Sequence, residues 1–498
     1  MMRLTRRAAL GAGLAALAGG AWGQARPLPR PLPAAPIPLG RPPLRPVPPS
    51  LAEAVRAAGL AGRVGVAVVD LDGGDLLDSL DASVPHPPAS VAKSVTALWA
   101  LDALGEDRRF ATRVLLDGAV RDGVLDGDLY LAGGGDPTLV TDALATLADA
   151  LVATGLREVR GRLLAWGGAV PEFPQIAPDQ LPHLGYNPAV GGLCLNFNRV
   201  FVEWARAGAD YRLTLDARGD DNRPEVGVAR VLVADREAPV WTYAEEGGVD
   251  VWTVARGALG EAGSRWLPVR RPALHAGQAF AALCAARGLS LPPAEEGPAP
   301  PPSAREAARL ESEPLADIVR DMLRYSTNLT AEVLGLHASL ARGPAPASLA
   351  QSARRMDEWV EETTGARADL VDHSGLGGAS RVTALDLAVM LAARGTPGRL
   401  RLLLKDIELT DEKGDELAAP PALVRAKTGT LNFVSCLAGY MRTIGGRDLA
   451  FAILASDLDQ RAEAAGSDED IPEGAQEWTE RARRLQQVLV QRWGATYG

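Results

Sequence analysis

The sequence predicts an α/β (α+β) domain that is discontinuous, interrupted by a large and mainly β insertion. Three observations carry that prediction. Alternating apolar runs with turn residues between them read as strand hairpins near both ends of the 498-residue chain. Helical periodicity lies between those ends, and a central stretch breaks into short strands and turns. A composition of 47% hydrophobic and 23% charged residues fits a folded chain of two to three domains. The formal charge of -10 argues against a nucleic-acid partner, because no basic patch could dominate such a field.

Taken in order, residues 1–23 read as an export signal. Arg3, Arg6 and Arg7 precede an apolar run of small residues, and Ala21-Trp22-Gly23 offers a cleavage site. Arg6-Arg7 also fits a twin-arginine signal, with a general secretory signal as the alternative. Export places the protein in the periplasm. Removing the signal takes away three arginines and no acids, leaving a net charge of -13. Residues 24–49 form a linker whose eleven prolines make a stiff spacer that cannot pack a core. Arg63 to Leu71 and Leu76 to Leu80 flank Asp72-Gly73-Gly74 as a hairpin. Ser90 to Leu104 is apolar at helical spacing, with Ser90 near the start. Residues 113–267 read as the inserted β module, so the interrupted domain comprises 50–112 and 268–498. Within its second part, Arg271 to Gly288, Glu313 to Leu340 and Ser348 to Thr364 read as helices. Ser435 to Arg442 and Asp448 to Ser456 read as a hairpin around Ile444-Gly445-Gly446, and Glu477 to Trp493 as a closing amphipathic helix.

Only four of the 52 basic residues are lysine: Lys93, Lys405, Lys413 and Lys427. Two of them stand in short motifs, Ser90-Val91-Ala92-Lys93 and Lys427-Thr428-Gly429. Random assignment among basic positions would do this roughly once in 200. Arginine cannot give up its proton and lysine can, so Lys93 reads as an amine needed in neutral form beside a serine nucleophile. Taken alone, Ser90 could be a helix cap and Lys427 the start of an edge strand. Ser326-Thr327-Asn328 adds a Ser-x-Asn triplet inside a helical stretch. Cys194, Cys284 and Cys436 are widely spaced among apolar neighbours and read as core thiols. The five histidines show no i, i+4 pair, so neither a metal nor another cofactor is expected.

Together the three motifs occur in the order used by serine penicillin-recognising enzymes. Residues 50–498 resemble the low-molecular-mass class C penicillin-binding proteins, the D-alanyl-D-alanine carboxypeptidase/endopeptidase family. The resemblance rests on Pro88-Ala89-Ser90-Val91-Ala92-Lys93, Gly133-Gly134-Gly135-Asp136-Pro137, Asn196-Phe197-Asn198, Ser326-Thr327-Asn328-Leu329 with Ala331-Glu332, and Ala426-Lys427-Thr428-Gly429-Thr430-Leu431. It implies a serine β-lactamase/transpeptidase-like fold, with an antiparallel sheet flanked by helices. It implies a DD-peptidase acting on peptidoglycan stem peptides ending in D-Ala-D-Ala, with β-lactam antibiotics as inhibitors. Ser90, Lys93 and Ser326 would be catalytic, and Asn328, Lys427, Thr428 and Gly429 would bind substrate. The backbone N–H groups of Ser90 and Thr430 would form the oxyanion hole, and Asp179 is a candidate contact for a diaminopimelate side chain. The wide gap between Ser90 and Ser326 disfavours a β-lactamase or esterase on the same scaffold, and the intact motifs disfavour a non-catalytic cell-wall binder. The family's Asp-Gly-Ser-Gly-Leu-Ser-Arg loop appears as Asp372-His373-Ser374-Gly375-Leu376-Gly377-Gly378-Ala379-Ser380-Arg381, with extra small residues.

Overall fold

A computed structural model of the chain describes residues 49–467 and 469–498. The expected export signal, and the linker up to residue 48, lie outside the described residues. The hairpin Arg63–Asp70 and Leu76–Leu80 joins the hairpin Val434–Thr443 and Asp448–Ser456 in one antiparallel six-stranded sheet. Its order is 405–406, 422–431, 434–443, 448–456, 63–70 and 76–80. The chain's two ends therefore build one sheet, and the strand Asp448–Ser456 lies inside it. Along that strand Ala450, Ala452 and Leu454 point into one core, while Leu449, Phe451, Ile453 and Ala455 point into another. Both faces are apolar because both are covered.

One face is covered by the helices Ala92–Leu104, Leu315–Tyr325, Asn328–Arg342, Leu349–Thr364 and Ala384–Ala392. The other is covered by Leu51–Ala57 and Ala475–Tyr497. The stretch expected as one helix from Glu313 to Leu340 is two helices. Ser326 takes a left-handed conformation (φ 60°) and ends the first, and Asn328 opens the second. No helix among the described residues is long and apolar enough to cross a membrane.

The central stretch folds around a second core and contributes two three-stranded sheets besides a six-stranded one. That six-stranded sheet does not stop at residue 267, where the insertion was expected to end. Arg305–Glu311 pairs with Ala111–Arg121, Ala294–Glu296 pairs with Leu163–Trp166, and the helix Pro272–Ala285 packs into the same core. The insertion also contains a helix, Thr141–Ala153, that alternation alone did not reveal. Gly133-Gly134-Gly135 is a close-approach segment. A side chain at Gly134 would stand 2.3 Å from the Ala111 carbonyl oxygen, and one at Gly133 2.3 Å from that of Gly192.

Burial holds four histidines neutral, His86, His275 and His337 with pKa about 4 and His373 about 3. His275, inside the second core, has no protein partner for either ring nitrogen among the described residues. A depressed folded pKa contributes stability that is complete above the unfolded value near 6.5 and is lost as pH falls toward 4, at about 1.4 kcal/mol per pH unit. The melting temperature of His275→Leu relative to the parent should therefore rise from pH 7 to pH 5. A margin independent of pH in thermal melts would contradict this.

Candidate active site

Pro85, Pro87 and Pro88 lead the chain into a short 3-10 turn, Ala89–Val91, that opens onto the helix Ala92–Leu104. Ser90 sits in that turn, near the positive end of the helix. One turn later Lys93 lies on the same face, and its side chain leans back toward the helix start. Lys93 Nζ lies 2.9 Å from Ser90 Oγ, 2.7 Å from Asn328 Oδ1 and 2.8 Å from the Ser374 carbonyl oxygen. Two of these partners can only accept. A neutral amine has two N–H groups and one lone pair, so the two carbonyl oxygens take both N–H groups and the lone pair faces the Ser90 hydroxyl. As an ammonium, Lys93 donates to all three. The same geometry serves both protonation states.

Ser326 closes the site from the helix break, where its left-handed backbone turns Oγ toward the sheet. Lys427 Nζ donates to Ser326 Oγ at 3.0 Å and to the Thr428 carbonyl at 2.7 Å. The strand Ala422–Leu431 carries Lys427, Thr428 and Gly429 along the margin of the sheet. Lys405–Asp406 pairs only with Ala426 and Arg425, so among the described residues no strand pairs with the outer edge from Lys427 onward. Gly429 also has a packing role. A side chain there would stand 2.7 Å from the Pro88 carbonyl oxygen and 3.1 Å from Ser90 N, so the missing Cβ lets the strand seat against the turn that carries Ser90. Ser90 N and Thr430 thereby flank one approach to the groove.

The two lysines differ in what surrounds them. Burial pushes Lys93 down to about 8, against the opposing pull of the Asp372 and Glu332 carboxyls. Burial pushes Lys427 further, to about 6, and the Lys93 and Lys405 ammonium groups add to the effect. The difference has a physical cause: two buried carboxyls face Lys93 and none faces Lys427. Of the two amines, Lys93 therefore keeps its proton to the higher pH.

Ser90, Ser326, Asn328 and Thr430 line a groove of about 1010 Å³. Its opposite wall comes from the insertion. Asn328 Nδ2 donates to the Tyr186 carbonyl at 2.9 Å, so the side chain expected to meet substrate already joins Lys93 to the inserted layer. One of its two N–H groups remains for a ligand. Asp179 is exposed on the same groove, where its carboxylate accepts from Gly378 N at 3.1 Å and, with Arg461, flanks that glycine. Arg270 fixes this wall by donating to the carbonyls of Pro174 (3.0 Å), Pro182 (2.6 Å) and Asn187 (2.9 Å). Among 48 arginines nothing in the sequence distinguished it. Glu332 follows the Ser326-Thr327-Asn328 motif, and Asp372 opens the loop with the extra small residues. Both lie directly behind Lys93. Asn196-Phe197-Asn198 is a left-handed turn whose amides bond to Thr141, Leu195 and Ala189, and it serves the inserted fold.

An antiparallel sheet between helical layers, an inserted β layer and a serine-lysine pair in the groove between them are the features of a serine-type peptidase with the transpeptidase-like fold. The chain belongs to the D-Ala-D-Ala carboxypeptidase 3 (S13) family, whose profile matches residues 49–473. It is 30% identical over 426 residues to a D-alanyl-D-alanine carboxypeptidase of an Actinomadura species, covering 78% of this chain and 77% of that protein. It is 29% identical over 418 residues to the carboxypeptidase DacB of Mycolicibacterium smegmatis, covering 78% and 75%. Penicillin binding protein 4 of Haemophilus influenzae shares the fold, with a TM-score of 0.68 at 20% identity over 88% of this chain and 98% of that one.

Proposed function

We propose that the protein is a periplasmic D-alanyl-D-alanine carboxypeptidase/endopeptidase that acts on peptidoglycan stem peptides through an acyl-enzyme on Ser90, and that β-lactams acylate the same serine. The observation that carries this reading is the contact of Lys93 with Ser90, in which both amine N–H groups are already taken by other partners.

The substrate's terminal carboxylate enters beside Lys427 and Thr428. That anion restores the Lys427 ammonium, and the new cation beside Lys93 favours the neutral amine there. Ser90 Oγ then attacks the carbonyl between the two D-alanines while its proton passes to Lys93. The N–H groups of Ser90 and Thr430 receive the developing oxyanion. Ser326, held by Lys427, relays the proton from Lys93 to the leaving amine, taking one as it gives its own, and water releases the acyl group. Asn328 holds Lys93 with its oxygen and offers its remaining N–H to the substrate amide. Asp179 stands where a substrate amine could reach it. A protein of the same fold has been solved with a β-lactam bound, which supports the antibiotic part of the reading.

Fluorescent penicillin should label the protein, and Ser90→Ala should abolish the label. Slow release of the label fits a DD-peptidase, and rapid release a β-lactamase. Purified protein should release D-alanine from pentapeptide monomers, cleave cross-linked dimers, or do both. Normal labelling with neither product would overturn the peptidase reading.

A further inference from the structure

Behind Lys93 lie two carboxyl groups, Glu332 and Asp372, both buried. The Asp372–Gly377 loop runs between them. Glu332 accepts from His373 N at 3.0 Å and from Ser374 N at 2.8 Å, and Asp372 accepts from Gly375 N at 2.6 Å and Gly377 N at 2.5 Å. One peptide group links this pair to the base. Between Ser374 and Gly375, the carbonyl accepts from Lys93 at 2.8 Å and the N–H donates to Asp372. A carboxylate on the N–H side polarises the amide and strengthens its carbonyl as an acceptor. The loop has little freedom to do otherwise. Thr96 Oγ1 donates to the His373 carbonyl at 2.6 Å, and Gly375 lies against the Ala89 carbonyl with no room for a side chain.

We propose that Asp372 and Glu332 are positioning residues that together carry one negative charge and steer Lys93 through the Ser374–Gly375 peptide. The proposal rests on Lys93 being the base of acylation. Two carboxyls buried against one short loop, Glu332 from the helix Asn328–Arg342 and Asp372 from the loop itself, repel each other's charge, and burial disfavours a second anion, so they hold one proton between them. Burial and the neighbouring carboxyl lift Glu332 well above the ordinary carboxyl range, and burial raises Asp372 as well. The other groups facing this centre are Lys427 from the strand, with Lys405 behind it, and His373 from the loop. His373 is held neutral by burial and its Nε2 meets Ser352 Oγ at 2.8 Å. No other titratable side chain bonds to Lys93, Glu332 or Asp372 among the described residues. The shared charge favours the ammonium before substrate enters and fixes where the amine points when it becomes neutral.

The test is the pH dependence of acylation by a chromogenic penicillin in Glu332→Gln, Asp372→Asn and the double variant. In either single variant the remaining carboxyl ionises fully, the charge of one persists, and the acid limb moves by less than about half a pH unit. In the double variant the charge is gone and the limb moves to lower pH by about one unit or more. Equal limb shifts in the singles that sum to that of the double would overturn the shared charge, as would an unmoved limb in a folded double variant. A purely structural role would lower the rates without moving the limb. Should the double variant fail to fold, thermal melts of Glu332→Gln decide the matter. A raised folded pKa contributes stability that is present at low pH and lost as pH rises through it. The melting temperature of Glu332→Gln relative to the parent should therefore climb from pH 5 to pH 8, and a flat difference would overturn the proposal. Loss of the base reading is separable, because it would appear as normal acylation by Lys93→Arg.

Discussion

Lys93→Arg should lower the acylation rate constant by about 10³-fold or more while the protein stays folded, because positioned general bases contribute 10²- to 10⁴-fold and a guanidinium cannot serve as one. Charge is preserved in this variant, so a purely electrostatic role for Lys93 predicts a modest loss instead. The geometry sharpens the contrast. Lys93 Nζ reaches two obligate acceptors and Ser90 Oγ at 2.7 to 2.9 Å, and a planar guanidinium in that buried space would present N–H groups to all of them. Stopped-flow acylation with a chromogenic penicillin, checked by circular dichroism for folding, measures the effect. Acylation within tenfold of the parent would refute the neutral-amine mechanism.

Gly375→Ala should damage both stability and reaction. The added Cβ would stand 1.9 Å from the Ala89 carbonyl oxygen and 3.0 Å from Ala92 Cβ, and φ is +74°. The first contact is with backbone and cannot be relieved by a rotamer change. Left-handed strain costs about 1–2 kcal/mol and overpacking about 1–3 kcal/mol, so a destabilisation of about 2–5 kcal/mol is expected. Relief requires the Asp372–Gly377 loop and the Ser90 turn to part. That moves the Ser374 carbonyl away from Lys93, and acylation should fall by about 10²-fold, as for small misplacements near reacting groups. Urea unfolding and acylation rates test this, and a variant matching the parent in both would show that loop and turn are not coupled.

Much of this architecture was legible where the signal is local. The terminal hairpins announce themselves through alternation and the turn glycines at 73–74 and 445–446, and the helix Ala92–Leu104 through its apolar period. The end of the insertion was not legible. It depends on Arg305–Glu311 pairing with Ala111–Arg121, a contact between distant segments with a helix and a proline-rich stretch between. The motifs assembled Ser90, Lys93, Ser326, Asn328 and Lys427 around one groove, since their order and contexts are sequence properties. The order in which the two lysines hold a proton was beyond reach. It is decided by which buried carboxyls face which amine, and Glu332 and Asp372 come from separate elements. Gly429 shows the same limit: its motif was visible, yet the atoms its missing side chain makes room for belong to the turn at Pro88 and Ser90.

Ser326 has a wider consequence. Held left-handed between two helices, it occupies a backbone conformation that a glycine would adopt at lower local cost, and an uninterrupted helix would satisfy the carbonyls it leaves open. Folding alone thus gives no reason for serine at this position; only its hydroxyl, aimed at Lys427, does. Under the role proposed for Ser326, the break in the helix trades robustness for reactivity, so Ser326→Gly should give a well-folded protein with an impaired reaction.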